Sequence, residues 1–172
     1  MPQPEGAELE AVRARRNELR AKYVRPAAER PTPPTGGIHH LALICRDVEE
    51  TIRFYQEFLG FPLVELVENR DYHGSSHFFF DLGNKTLLGF FDFPGHPHPE
   101  YSETIGNVQH IALSVTPERF DELKAKLDGA GTDYLGPDRG VSNSLYIRDP
   151  NGTGIEFYRE RLGWFEDIHL VD

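Results

Sequence analysis

Short stretches that alternate between apolar and smaller or polar residues mark the strands of this chain. In "HHLALIC", residues 39–45, alternation places His40, Ala42 and Ile44 on one face and larger apolar residues on the other. Seventy residues later, "QHIALSV" repeats this pattern and puts His110 on the corresponding face. His40 therefore has a counterpart in a second copy of the pattern, whereas His39 has none.

Each of these strands is followed by a helix pattern with its own start signal. Asp47 is an N-cap residue with Glu50 three positions later, and in the second half Thr116 caps a helix whose first residue is Pro117 and which ends before Gly129. Three strand-like segments follow each helix: "FPLVELVEN", "SHFFFDLG" and "KTLLGFFDF", then "TDYLGP", "SNSLYIRD" and "GTGIEFYRE". The repeat predicts an α+β fold of two βαβββ modules with mixed sheets enclosing a cavity.

The chain before the first module has a different character. Residues 7–24 have helical propensity, and "RPAAERPTPPTGG" after them reads as a proline-rich linker. We therefore predict an N-terminal helix and linker over 1–36, a main domain over 37–162 with modules at 37–94 and 107–162, and a C-terminal tail at 163–172.

Charge and composition narrow the range of partners. Lys and Arg number 18 against 28 Asp and Glu, and the net charge of −10 disfavours binding to nucleic acid or to an anionic membrane. The N-terminus lacks the apolar segment of a secretory signal, and the single cysteine, Cys45, lies in an apolar strand. These features predict a cytoplasmic protein whose cysteine is a core residue and not a nucleophile.

Three residues together predict a metal site. Pseudo-twofold symmetry would bring His40 and His110 near each other, and Glu156 alternates onto the cavity face of the last strand. A carboxylate there is costly to bury unless it is paired or bound to a cation. Each residue alone has an ordinary structural explanation, but the repeat favours a set of two histidines and one carboxylate. His39 is expected to be structural or exposed.

The pattern resembles the vicinal oxygen chelate superfamily, which includes glyoxalase I, methylmalonyl-CoA epimerase, fosfomycin-modifying thiol transferases, type I extradiol dioxygenases and bleomycin-sequestering proteins. The resemblance covers about residues 37 to 160 and implies a divalent metal held by His40, His110 and Glu156. "LYIRDPNGTGIE" also resembles the C-terminal signature of the extradiol dioxygenases, with Tyr146 in the place of a substrate-binding tyrosine. Two further histidines of those enzymes are absent, because Pro137 and Lys85 stand near their places.

Other members of the superfamily match less well. Glyoxalase I and the epimerases add a carboxylate on the last strand of module one, where this chain has Gly89. The thiol transferases have a threonine where this chain has Ala42. His96 and His98, two residues apart, have a spacing that could chelate a metal, but prolines and a glycine around them indicate an exposed connection between the modules.

The resemblance therefore implies an oxidoreductase of the dioxygenase type, with Fe(II) or Mn(II) favoured and Zn, Ni or Co possible, acting on a small catechol or enediol substrate. Tyr146 would hydrogen-bond the substrate, and His77 or Lys85 would move protons. Other residues expected to line the substrate pocket are Phe79, Phe91, Ser114 and Tyr158. Two alternatives stay open: a lyase or isomerase, and a metal-free protein that sequesters a ligand. A homodimer that exchanges modules is possible, and His40 would then join His110 and Glu156 of the other subunit.

Overall fold

A computed structural model describes residues 3–137, 143–160 and 162 of the chain. The predicted C-terminal tail at 163–172 lies outside the described residues. The chain divides between Gly37 and Ile38 into an N-terminal unit and a larger unit that carries both predicted modules.

The N-terminal unit contains helix α1, Gly6–Tyr23, and a short 3-10 turn, Ala27–Glu29. No residue of α1 is buried within this chain. Pairs of opposite charge three residues apart, Arg13 with Glu10 and Arg15 with Glu18, lie along its surface. Among the described residues, no helix has the length and apolar character needed to cross a membrane.

Module one forms a four-stranded sheet in the order β1-β4-β3-β2. Its strands are β1 His40–Ile44, β2 Leu63–Glu68, β3 Ser76–Asp81 and β4 Leu87–Phe91. Strand β1 runs parallel to β4, and the remaining pairs are antiparallel. Helix α2, Val48–Ile52, continues as a π-helical turn over Arg53–Phe58 and begins as predicted, because the Asp47 carboxylate accepts a hydrogen bond from the backbone N–H of Glu50.

Module two repeats this arrangement with a smaller sheet. Its described strands, β5 His110–Ser114, β6 Ser144–Arg148 and β7 Gly154–Tyr158, have the order β5-β7-β6, and α3 spans Pro117–Ala130. The predicted strand in "TDYLGP" is reduced to one antiparallel bridge between Leu135 and Tyr146. Pro137 has no N–H to extend the pairing, and Gly136 has a positive φ of 116°.

The two modules pack through their helical sides. The core combines apolar residues of both modules, including Tyr55 and Phe90 from module one and Leu127 and Phe157 from module two. Arg119 of α3 donates to the carbonyl of Leu59. This packing leaves the histidine-bearing sheet faces uncovered: His40, Ala42 and Ile44 are exposed, as are His110, Ala112 and Ser114. In a single chain the two faces therefore do not bury each other as the sequence pattern suggested.

Candidate metal site

Strand register makes the two modules directly comparable. In module one His40 pairs with Leu87 and Ala42 with Gly89, and in module two His110 pairs with Gly154 and Ala112 with Glu156. His40 and His110 are thus equivalent, and so are Gly89 and Glu156. The next strands extend the match, because Phe79 lies opposite Gly89 and Tyr146 lies opposite Glu156.

Module two brings a histidine and a carboxylate into contact. His110 Nε2 lies 3.0 Å from Glu156 Oε2, and the Glu156 side chain is only 7% exposed. The Tyr146 hydroxyl donates to the other carboxylate oxygen, Oε1. Burying a carboxylate is costly without such partners, so this geometry needs the hydroxyl and a positive group beside Oε2. The donor set, one imidazole nitrogen and one carboxylate oxygen at the same point, fits a divalent transition metal.

The equivalent place in module one cannot hold a carboxylate. A Cβ atom on Gly89 would lie 2.9 Å from Cε1 of Phe79 and 3.6 Å from Nε2 of His77. The ring of Phe79 therefore takes the space that the Glu156 side chain takes in module two. The sequence alignment that put Gly89 in this position agrees with the strand register.

The open face of module one carries His40 and a row of stacked rings. The His77 ring stacks on Phe91 with centroids 3.8 Å apart and lies 4.2 Å from Phe79, whose ring is 6.0 Å from that of His40. Burial lowers the pKa of the His77 imidazole, and His40 acts in the same direction. His77 Nε2 is buried and has no hydrogen-bond partner among the described residues. A proton-transfer role for His77 in this conformation would therefore use Nδ1.

The other predicted site residues are spread over both open faces. Phe79 and Phe91 are half-buried beside His77, and Tyr158 lies on the His110 face, where Ser114 donates its hydroxyl to the carbonyl of Glu160. Lys85 is exposed in the turn between β3 and β4, with a positive φ of 62°. Its role in proton transfer stays a prediction.

Two further expectations concern residues outside the site. His96 and His98 are exposed, as predicted for a connection between modules, and their ring centroids lie 6.4 Å apart. Cys45 is buried, and burial raises the pKa of its thiol to about 11. A thiolate nucleophile at neutral pH is therefore not available at this position.

One cleft adjoins the His110 half of the site and contains a residue that the sequence analysis missed. The cleft has a volume of about 860 Å³, and its lining includes His110, Tyr146, Gly154 and Arg148. The Arg148 guanidinium lies 5.1 Å from the centre of the Tyr101 ring and donates from Nη1 to the carbonyl of Gly152 at 2.7 Å. The signal was present in "LYIRD", since alternation puts Arg148 on the same face as Tyr146.

The predicted ligands do not all meet within one chain. Among the described residues, no three His, Cys, Asp or Glu side chains form a group able to hold a metal ion. His110 and Glu156 are in contact, while His40 lies on the open face of the other sheet beside Phe79 and His39. The candidate ligands are thus divided between the modules, with His110 and Glu156 on module two and His40 on module one.

Comparison with known proteins identifies relatives of this architecture. The chain is 33% identical over 100 residues to "Putative ring-cleaving dioxygenase MhqE" of Bacillus subtilis, a match that covers 56% of this chain and 32% of that protein. It is 29% identical over 125 residues to "Glyoxylase I 4" of Arabidopsis thaliana, covering 69% and 68%. The chain thus spans about a third of the first relative and about two thirds of the second.

A solved structure supports the fold. A glyoxylase/bleomycin resistance protein/dioxygenase domain from Frankia sp. EAN1pec superposes with a TM-score of 0.64 at 22% identity, covering 74% of this chain and 99% of that one. The family model of the Glyoxalase/Bleomycin resistance protein/Dioxygenase superfamily matches residues 37–157, from module one to the last strand of module two. With its repeated modules, its paired registers and this match, the chain belongs to that superfamily.

Proposed function

We propose that this protein is a metal-dependent oxidoreductase of the dioxygenase type, acting on a small substrate that chelates through adjacent oxygens, such as a catechol or an enediol. The observation that carries the proposal is the contact of His110 Nε2 with the buried carboxylate of Glu156. A carboxylate held beside an imidazole nitrogen by a tyrosine hydroxyl is suited to metal binding. Similarity to the ring-cleaving relative supports the choice of reaction.

The protein supplies the ligands and the substrate contacts. His110 and Glu156 would bind the cation from module two, and Fe(II) or Mn(II) is the choice that suits oxygen chemistry. When bound, the cation would supply Lewis acidity to stabilise the substrate anion and would allow O2 to react. Tyr146 holds Glu156 in place and lines the cleft, where its hydroxyl would also meet a substrate oxygen.

The third ligand is proposed to come from a second subunit. His40 is exposed on the open face of module one, and His110 is exposed on the open face of module two. A homodimer that pairs module one of one chain with module two of the other would bring the partner subunit's His40 to His110 and Glu156. The same pairing would cover the exposed apolar side chains of this face, among them Ile44 and Val67.

A lyase or isomerase is the second candidate, favoured by the similarity to the glyoxylase I relative. Phe79 opposes it, because its ring leaves no room for a module-one carboxylate at Gly89. Turnover of a hemithioacetal of methylglyoxal without O2 would favour this candidate. A metal-free ligand-binding protein, the third alternative, has no need of the His110–Glu156 contact.

The decisive experiment measures metal content by mass spectrometry in untagged protein purified without chelators. We expect near-stoichiometric iron or manganese in the wild type and loss of the metal in His110→Ala. The control variant His98→Ala changes an exposed histidine outside the site and should keep the metal. Oxygen consumption after anaerobic reconstitution with Fe(II) then tests catechols and enediols. Equal metal content in His110→Ala and wild type, or none in either after reconstitution, would contradict the proposed metal site.

A further inference from the structure

The side chain immediately before each candidate ligand histidine contacts the Nδ1 atom of that histidine. The Gln109 side-chain oxygen is hydrogen-bonded to His110 Nδ1. In module one, His39 Nδ1 lies 2.9 Å from His40 Nδ1. The sequence predicts that His39 is structural or exposed and indicates no role for Gln109. Both nevertheless make the same contact in equivalent places.

Backbone geometry shows that the two places are equivalent. The carbonyl of His39 accepts a hydrogen bond from the N–H of Leu87, the residue paired with His40. The carbonyl of Gln109 lies 2.9 Å from the position of a Cβ on Gly154, the residue paired with His110. His39 and Gln109 thus sit at the same step of the sheet, one residue before the strand begins.

In module two the direction of the hydrogen bonds can be worked out. A carboxylate oxygen accepts hydrogen bonds, so the Gln109 group 3.1 Å from Glu103 Oε1 is the amide nitrogen. The amide oxygen of Gln109 then faces His110, and His110 Nδ1 must carry a hydrogen to donate to it. This leaves Nε2, 3.0 Å from Glu156, as the nitrogen that can give its lone pair to a metal.

The module-one pair can do the same. If His40 donates from Nδ1 to the unprotonated Nδ1 of His39, its own Nε2 is left free in the same way. A histidine ligand generally needs such a partner on its second nitrogen to fix its tautomer and ring orientation. The imidazole of His39 and the amide of Gln109 are chemically different acceptors, but either can fix the tautomer of the following histidine.

We propose that His39 and Gln109 are positioning residues that hold Nδ1 of the following histidine and leave its Nε2 available to a divalent metal, with Glu103 fixing the orientation of Gln109. The inference rests on the proposed metal site. It assigns a role to residues that do not themselves bind metal, and it accounts for the two adjacent histidines at the start of β1.

The test exchanges the two hydrogen-bond acceptors, the imidazole of His39 and the amide of Gln109, between the modules. Gln109→Leu and His39→Leu remove the acceptor, whereas Gln109→His and His39→Gln install in each module the residue that the other module uses. The two positions changed, 39 and 109, are both exposed, so folding should be preserved, and circular dichroism with thermal unfolding checks this. The dissociation constant for Zn(II) is measured by competition with a chromophoric chelator. We expect each leucine variant to weaken binding about 10–100-fold and each exchanged variant by less than about tenfold.

A second readout does not depend on metal. Nitrogen NMR of ¹⁵N-histidine-labelled, metal-free protein reports which ring nitrogen of His110 carries the hydrogen. We expect a protonated Nδ1 in the wild type and in Gln109→His, and a change in the Nδ1 and Nε2 signals in Gln109→Leu. Wild-type Zn(II) affinity together with unchanged signals in the leucine variants overturns the positioning role while leaving the metal site standing. No Zn(II) binding in the wild type overturns the proposed function, and the NMR comparison then still decides whether Gln109 sets the His110 tautomer.

Discussion

The packing of the Phe79 ring against position 89 favours glycine there. A Cβ on Gly89 would approach Cε1 of Phe79 to 2.9 Å, and the Phe79 ring is itself held by contact with the His77 ring. Gly89→Ala should therefore overpack this face and lower the free energy of unfolding by about 1–3 kcal/mol. Urea or thermal unfolding of the metal-free protein measures the change.

A matched substitution gives the opposite expectation. Gly129 lies inside α3, and a Cβ there meets no atom within 4 Å. Gly129→Ala removes backbone freedom from the unfolded chain and should stabilise the protein by about 0.5–1 kcal/mol. If both alanine variants shift stability in the same direction, the close contact at Gly89 is not what decides the result.

Residues at the site were predictable to the extent that strand alternation governs them. The period of two placed His40, His110 and Glu156 on their faces, because all three lie within strands. His39 is exposed, in line with its prediction as structural or exposed, but alternation did not predict the contacts that His39 and Gln109 make with the next histidine. Both residues come just before a strand, where the pleat no longer determines the direction of a side chain. These contacts are between side chains and are seen only in the three-dimensional structure.

At the scale of elements, Asp149 links the turn before β7 to the helix of module one. Its carboxylate accepts hydrogen bonds from the Tyr55 hydroxyl at 3.1 Å and from the backbone N–H of Thr153 at 2.8 Å. Burial nevertheless raises the pKa of Asp149, which means that the folded state favours the protonated acid. The contribution of this group to stability is therefore greatest below the pKa of an unfolded aspartate and decreases as pH rises through the folded-state value.

Comparison of Asp149→Asn with the wild type isolates this effect, because other carboxylates titrate in both proteins. Because the wild type loses this contribution as pH rises, we expect the stability of the variant relative to wild type to increase from the ordinary aspartate pKa toward neutrality. Denaturant unfolding across that pH range gives the difference. A pH-independent difference would show that the Asp149 pKa is the same in the folded and unfolded states.

Asp128 provides a control of opposite sign. Its carboxylate accepts hydrogen bonds from Lys124 Nζ at 2.8 Å and from the Tyr134 hydroxyl at 2.7 Å. Both bonds lower the pKa of Asp128, and the bond from Lys124 has the larger effect. Its contribution is present above the pKa of an unfolded aspartate and is lost as pH falls through the folded-state value. Asp128→Asn should therefore lose stability relative to wild type at neutral pH and approach it at low pH.

The elements themselves were predictable where the signal is local. Asp47 and Thr116 cap their helices as expected, since an N-cap depends only on residues a few positions away. The end of α3 was placed two residues early: Gly129 is helical, and Gly131 adopts the left-handed conformation with φ 64°. Two glycines bracket that end, and composition does not show which of them leaves the helix.

At the scale of the whole molecule, apolar periodicity identified the faces that would be buried without identifying their partners. The helical sides of the two modules meet each other, as the bond from Arg119 to the Leu59 carbonyl and the Tyr55–Asp149 pair show. The sheet faces that carry His40 and His110 take no part in this packing and are exposed. Because the side chains that join the modules are far apart in the sequence, no local pattern specifies which faces of the two modules pack together.

A complementation experiment tests whether a second subunit completes the site. His40→Ala and Glu156→Gln each change one candidate ligand, so each protein alone should lose metal. If His40 of one subunit meets Glu156 of the other, a mixed dimer has one site with both substitutions and one site with neither. After subunits are mixed, unfolded together and refolded, about a quarter of all sites should regain metal, since half of the dimers are mixed and each restores one site of two.

If each site is formed within one chain, every site keeps one substitution and mixing restores nothing. Light scattering on the same samples establishes that dimers are present, and a monomer that binds metal at full stoichiometry would exclude the shared site.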